Sequence, residues 1–321
     1  MSPLRSGIDP TIRAFLETLD SMDRREVYEL SVEEARAEMS RAQAGDVAKP
    51  PADLEDLFIP GGSRGRISIR IIRPKGNTGA LPAVIYLHGG GWVRGDKDAF
   101  DRVVREIAVG AGAAVVFVDY SRSPETRYPV AIEEAYSATK YIAENGDSLN
   151  LDPARIAVAG DSAGANMATV VALLAKQRSG PTLTCQVLFN PVTDARFDTP
   201  SYEQFATGYF LTRESMKWYW SQYLPDEGAR KEPTASPLQA TIRELKDLPP
   251  ALIITSEFDV LRDEGEAYAH RLMDAGVAVT AVRYTGAIHA FTILNAVADS
   301  QATRSALALA NDTLRKAFAA R

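Results

Sequence analysis

Apolar positions along the chain follow two alternating periods. Short β-branched and aliphatic runs recur at 83–87 (AVIYL), 114–119 (AVVFVD), 155–159 (RIAVA), 183–189 (LTCQVLF), 251–255 (ALIIT) and 278–284 (AVTAVRY). Their length and continuity predict buried strands. Between them, apolar residues recur at helical spacing: Phe100, Val103, Val104 and Ile107; Met167, Val170, Val171 and Leu174; Leu261, Tyr268 and Leu272. Strands that are apolar throughout need cover on both faces, so the alternation predicts an α/β fold with a mostly parallel sheet. Residues 67–73 (ISIRIIR) instead alternate apolar and polar positions, which predicts a half-exposed antiparallel edge strand.

Two regions break the pattern. In residues 1–45, Ile12, Phe15, Leu16 and Leu19 make one helical stripe, and Ser31 with Glu34 form a capping box that starts a second helix. Residues 196–248 lie between two strands and contain a helix face of Met216, Tyr219, Trp220 and Tyr223. An insertion of that length in an α/β core predicts a lid or cap, whose aromatic face packs as core and also roofs a pocket.

The 321 residues are 45% hydrophobic and 24% charged, within the range for one large globular domain with a sizeable core. The net charge of -6 argues against a nucleic-acid partner. The single cysteine, Cys185, sits in an apolar run and reads as a buried structural thiol. The first twenty residues lack the apolar core of a secretory signal, and no apolar stretch is long enough to span a bilayer. The expected setting is therefore the cytoplasm, without stable membrane insertion.

Candidate chemistry begins at GDSAG, residues 160–164, between the strand at 155–159 and the helix carrying Met167. A serine between small residues at a strand-to-helix turn is placed for nucleophilic attack. The turn lifts its Oγ clear of the sheet, and the helix N-terminus behind it favours developing negative charge. A phosphate-binding turn is the competing reading, but it usually wants more glycines or a following Lys-Ser/Thr.

A serine hydroxyl needs a base. Of three histidines, His270 falls on the exposed side of a helix and His88 precedes three glycines; His289 follows the last predicted strand, where a loop can reach back to the sheet edge. An acid must orient that base. Asp259 follows the strand at 251–255, with Glu257, Asp263 and Glu264 as rivals; the last two fall in a first helical turn, where acids are common for the helix dipole. HGGGW, residues 88–92, follows the strand at 83–87. The amides of Gly90 and Gly91, with that of Ala163, form a candidate oxyanion hole. Trp92, Tyr209, Trp218 and Trp220 are candidate lining for a substrate pocket. Asp161 has no evident role beyond hydrogen bonding near the helix start.

HGGGW at 88–92, GDSAG at 160–164, DVLRDEG at 259–265 and GAIHAF at 286–291, in that order, resemble the hormone-sensitive-lipase-like (bacterial family IV) esterases of the α/β-hydrolase superfamily. The resemblance implies an α/β-hydrolase fold with an eight-stranded, mostly parallel sheet. A helical cap would be formed by about 1–45 and 196–248 on a single domain. It implies hydrolysis of short- to medium-chain carboxylic esters through an acyl-enzyme, with neither metal nor cofactor. Ser162, Asp259 and His289 would be the triad and Gly90, Gly91 and Ala163 the oxyanion hole, with His88 and Gly89 supporting the glycine loop. It also suggests a homodimer through an edge strand. Ala165, Val260 and YSRSPE (120–125) depart from the family pattern, and the last two would shift loop geometry and with it substrate choice, leaving every catalytic group in place. An amidase, arylformamidase or peptidase would use the same triad, and a non-catalytic ligand receptor would usually have lost a triad member.

Overall fold

The computed structural model describes residues 6–320. In chain order its helices are α1 (Pro10–Ser21), α2 (Val32–Gln43), α3 (Asp101–Ala111), α4 (Val130–Asn145), α5 (Ala163–Gln177), α6 (Pro200–Gln204), α7 (Arg213–Tyr223), α8 (Ile242–Leu245), α9 (Arg262–Asp274) and α10 (Gln301–Ala319). Its strands are β1 (Ala52–Pro60), β2 (Arg66–Pro74), β3 (Leu81–Leu87), β4 (Ala114–Asp119), β5 (Leu151–Asp161), β6 (Gln186–Phe189), β7 (Ala251–Phe258) and β8 (Val279–Ile288). They form one sheet in the order β1-β2-β4-β3-β5-β6-β7-β8. Neighbours from β4 to β8 pair in parallel, while β2 runs antiparallel to both β1 and β4.

Burial explains which strands the pattern revealed. Every residue of β3 and β6 is buried, as is all of β4 but its last. On one face α3 packs against α10, and on the other α4 packs against α5 and α9 lies on β7. The expected edge position of 67–73 is corrected: β2 is antiparallel, but β1 covers it and forms the edge. β1 gave no pattern because Leu54 and Phe58 are exposed and acids stand between them. The capping box forms as read: Ser31 Oγ accepts from the Glu34 amide at 3.2 Å, and Glu34 Oε2 accepts from the Ser31 amide at 2.8 Å.

The strand order places the site. From β3 the chain moves outward to β4, then returns to β5 on the opposite side of β3. Such a reversal opens a crevice at the carboxyl ends of the strands. The loops that leave β3 and β5 at that crevice carry HGGGW and GDSAG.

The two irregular regions pack in two ways. α1, α2 and α7 supply walls to a cavity above those loops. Within the insertion, residues 229–248 instead pack back on the domain, with α8 against α9 and α5. Lys176 of α5 donates to three carbonyls at the end of α8, from Arg243, Glu244 and Lys246. The expected cap also included residues 1–5, which lie outside the described residues. No helix among the described residues is long and apolar enough to cross a membrane.

Candidate active site

Ser162 is the hinge between β5 and α5, with φ 54° and ψ -119°. A side-chain-bearing residue with positive φ costs roughly 1–3 kcal/mol, so the surroundings must impose it. Its amide donates to the Phe189 carbonyl at 2.8 Å, and its carbonyl accepts from the Asn166 amide at 3.0 Å. The flanking glycines are required by close approach. A Cβ on Gly164 would lie 1.9 Å from the Leu87 carbonyl oxygen, and one on Gly160 would lie 2.5 Å from the Gly164 carbonyl.

His289 follows β8, and its Nε2 lies 3.0 Å from Ser162 Oγ. Its Nδ1 lies 2.8 Å from Asp259 Oδ2. A carboxylate only accepts, so Nδ1 carries the proton and Nε2 is left to accept from the serine. All three side chains are buried. Asp259 Oδ1 accepts from the Leu261 amide at 3.0 Å, and Oδ2 also accepts from Asn190 Nδ2 at 3.0 Å. The rival acids are engaged elsewhere. Glu257 accepts from the Gly286 amide, and Asp263 takes the Ser201 amide and Arg262. Glu264 accepts from the Thr193 and Asp194 amides, and burial holds its carboxyl pKa well above the usual range. His270 is exposed on α9.

The glycine loop lies against the serine turn. Gly90 and Gly91 have φ of 97° and 64°, and the amides of Gly90, Gly91 and Ala163 donate no hydrogen bond among the described residues. Asp161 joins loop to turn: its Oδ1 accepts from the Gly89 amide at 2.9 Å and from the Tyr86 hydroxyl at 3.0 Å. Even a methyl group on Gly89 would strike that carboxylate, at 2.1 Å from Oδ2. His88 is wholly buried, its ring stacked on Tyr120 and Phe117, and its Nδ1 donates to the Gly89 carbonyl at 2.8 Å. Tyr120, the first residue of YSRSPE, donates from its hydroxyl to the His88 carbonyl at 2.8 Å.

Two of these buried groups have pKa values displaced in opposite senses. Desolvation pushes His88 down to about 3 and Asp161 up to about 6. For His88 the unfolded chain takes its proton near 6.5 and the folded protein only near 3, so stability falls as pH drops through that window. For Asp161 the folded protein takes its proton near 6 and the unfolded chain near 3.8, so stability rises as pH drops through that window. Between about pH 6 and 4 the two offset. Asp161→Asn keeps the acceptor for Gly89 and Tyr86 but removes one half of the offset. In urea unfolding across that range, the variant's stability is expected to fall more steeply than wild type as pH drops, by up to about 1.4 kcal/mol per pH unit. Equal slopes would refute the assignment of that proton to Asp161.

A cavity of about 590 Å³ stands over Ser162 and His289. Its apolar walls come from Phe15 and Leu19 of α1, Met39 of α2, Phe210, Met216 and Tyr219 of the insertion, and Ile293 and Leu294 after His289. None of the four expected lining residues is among them, which corrects that expectation. Trp92 and Trp220 are fully buried beneath the wall, in an edge-on contact at 5.0 Å, with Trp92 stacked on Tyr223 at 4.1 Å. Tyr209 stacks on Phe258, and Trp218 lies edge-on to Tyr219 outside the cavity. The α7 stripe is split: Met216 and Tyr219 face the cavity, while Trp220 and Tyr223 face the core.

Three supporting residues carried no motif. Asn190, at the end of β6, also donates to Ser256 Oγ at 2.8 Å, and Ser256 donates to the Ile288 carbonyl, so β6, β7 and β8 are tied around Asp259. Arg102 of α3, buried, donates to the Thr292 and Ile293 carbonyls just after His289 and pairs with Glu106 at 2.7 Å. Gln43 of α2 donates to Ala99 and Ile293, bracing the same segment from the other side. Cys185 is buried, with its thiol pushed up to about 12 by desolvation.

A family profile described as alpha/beta hydrolase fold matches residues 84–293. Among curated relatives, the carboxylesterase NlhH of Mycobacterium tuberculosis is 36% identical over 89% of this chain and 89% of its own length. The ethyl acetate hydrolase of Pseudomonas putida is 32% identical over 91% of this chain and 94% of its own. Among solved structures, a thermostable esterase from Pseudomonas putida superposes with a TM-score of 0.96 at 45% identity, covering 98% of this chain and 99% of that one.

Proposed function

The chain belongs to the alpha/beta hydrolase fold family, in its hormone-sensitive-lipase-like branch, and is a carboxylic ester hydrolase; from that premise we propose that Ser162, His289 and Asp259 carry the reaction. The observation that supports this most is the hydrogen-bonded series Ser162–His289–Asp259 at the floor of the cavity, with links of 3.0 and 2.8 Å.

Ser162 Oγ attacks the ester carbonyl carbon as its proton passes to His289 Nε2. The carbonyl oxygen takes the negative charge and accepts from the amides of Gly90, Gly91 and Ala163. Collapse of the tetrahedral intermediate expels the alkoxide, which takes the proton from His289. Water then gives a proton to His289 and its hydroxide to the acyl carbon; a second collapse frees the acid and returns the proton to Ser162. Asp259 keeps His289 in the tautomer this sequence needs and stabilises its cation. Asp161 and His88 hold the glycine loop against the serine turn, so the three amides are aligned before substrate arrives.

We take α1, α2 and α7 as the cap. A mostly apolar chamber of about 590 Å³ walled by these helices suits short to medium acyl chains. With 4-nitrophenyl esters from acetate to dodecanoate, kcat/KM is expected to pass through a maximum below dodecanoate and fall beyond it. A monotonic rise to the longest chain would overturn the limit set by the chamber, and matched amide substrates run alongside would expose any amidase preference.

A further inference from the structure

Part of the mostly apolar cavity wall, away from Ser162 and His289 in the chain, is polar. Arg94 follows the glycine loop, and its guanidinium carbon lies 5.4 Å from the ring centre of Tyr219 on α7. Both residues line the cavity. The Tyr219 hydroxyl and Arg94 Nε are buried and have no hydrogen-bond partner among the described residues. The acids nearby hold the arginines only loosely. Glu38 stands 3.5 Å from Arg94 and 3.8 Å from Arg24, and Glu26 stands 3.9 Å from Arg24. These separations exceed hydrogen-bond length.

The imbalance has a direction. Among buried side-chain atoms of the cavity-lining residues described, the two without partners are a guanidinium nitrogen, which only donates, and a phenol, which donates readily; none is a carboxylate oxygen. Surplus donors in a desolvated wall are a cost that an oxygen acceptor relieves, whereas a hydrocarbon arm leaves it in place. A site built to satisfy a polar substrate group discriminates strongly against the analogue without it.

We propose that Arg94 and Tyr219 read an oxygen acceptor on the substrate, so that the preferred substrates are esters carrying a second carbonyl or a carboxylate on one arm. This rests on the reading of Ser162 as nucleophile above it. Either arm of the ester can face this polar part of the wall, so both are tested. On the acyl side, 4-nitrophenyl hexanoate is compared with the 4-nitrophenyl esters of adipic acid and of monomethyl adipate. On the alcohol side, hexyl acetate is compared with 4-acetoxybutanoate and its methyl ester, following acetate release. In at least one series an acceptor-bearing ester is expected to exceed its alkyl counterpart in kcat/KM by roughly tenfold. A gain confined to the free acids assigns recognition to a charge, and a gain shared by the methyl esters assigns it to the oxygen alone.

The control is the ratio within each variant, not its absolute rate. Tyr219→Phe keeps the ring and Arg94→Met keeps the stem, and at least one should bring the preference close to one. Ratios near one in wild type, or a preference intact in both variants, would overturn the proposal while leaving ester hydrolysis standing. Absence of turnover on every ester would instead overturn the underlying reading.

Discussion

Ser162→Ala is expected to lower kcat for 4-nitrophenyl ester hydrolysis by at least about 10⁴-fold while the protein remains folded. Removing one member of a serine–histidine pair costs nearly as much as removing the whole triad, because the groups act as a unit. Residual turnover would come from the oxyanion amides and binding alone. The fold should tolerate the change. The substituted alanine keeps the Cβ and inherits the same backbone at φ 54°, and the amide and carbonyl links to Phe189 and Asn166 are main-chain bonds. Among the described residues, the hydrogen bond lost is the 3.0 Å link to His289. The measurements are steady-state kinetics on purified wild type and variant, with thermal unfolding as the check on folding. Activity at the wild-type level would sink the assignment of Ser162; inactivity with a large fall in Tm would mean that the serine matters first to the fold.

What the sequence made legible follows from burial. β3 to β7 are apolar because both faces are covered, so their runs stand out. β1 does not, because an edge strand with exposed Leu54 and Phe58 has nothing to bury. Ser162 and the glycine loop announced themselves through local constraints: a strained turn and close backbone approaches, which only small residues satisfy. The choice of Asp259 over Glu257, Asp263 and Glu264 is a tertiary matter. All four stand within eight positions, and what separates them is which one meets a histidine thirty residues later. The pocket was the least legible part. Aromatic size does not tell whether a ring faces a void or the core: on α7 the two classes alternate within one turn, Tyr219 outward and Trp220 inward. Asp161 shows the converse. Its neighbours in sequence suggest a helix-start hydrogen bond, but its partners are Tyr86 and Gly89, far away along the chain and brought close by the pairing of β3 with β5.

Gly91→Ala is expected to cost about 10²–10³-fold in kcat, the scale of losing one oxyanion donor. Two separate constraints act at this position. The backbone has φ 64°, where an alanine pays roughly 1–2 kcal/mol. The new Cβ would also lie 2.1 to 2.6 Å from three ring atoms of Tyr219, a distance no contact sustains. The ring cannot simply yield, because its helix is locked below by Trp220 and Tyr223 against Trp92. The loop must therefore move, and with it the Gly90 and Gly91 amides. The two constraints separate in a double variant. Tyr219→Ala removes the ring and leaves the backbone strain, so Gly91→Ala introduced into that background should lose far less, a fall of roughly 5- to 30-fold, the kinetic equivalent of the φ cost alone if strain is relieved entirely by loop displacement. A loss in the double variant as large as in Gly91→Ala alone would show that the ring contact is irrelevant and that the backbone conformation by itself sets the oxyanion hole. A Gly91→Ala enzyme with full activity would remove Gly91 from the hole altogether, leaving Gly90 and Ala163 to hold the charge.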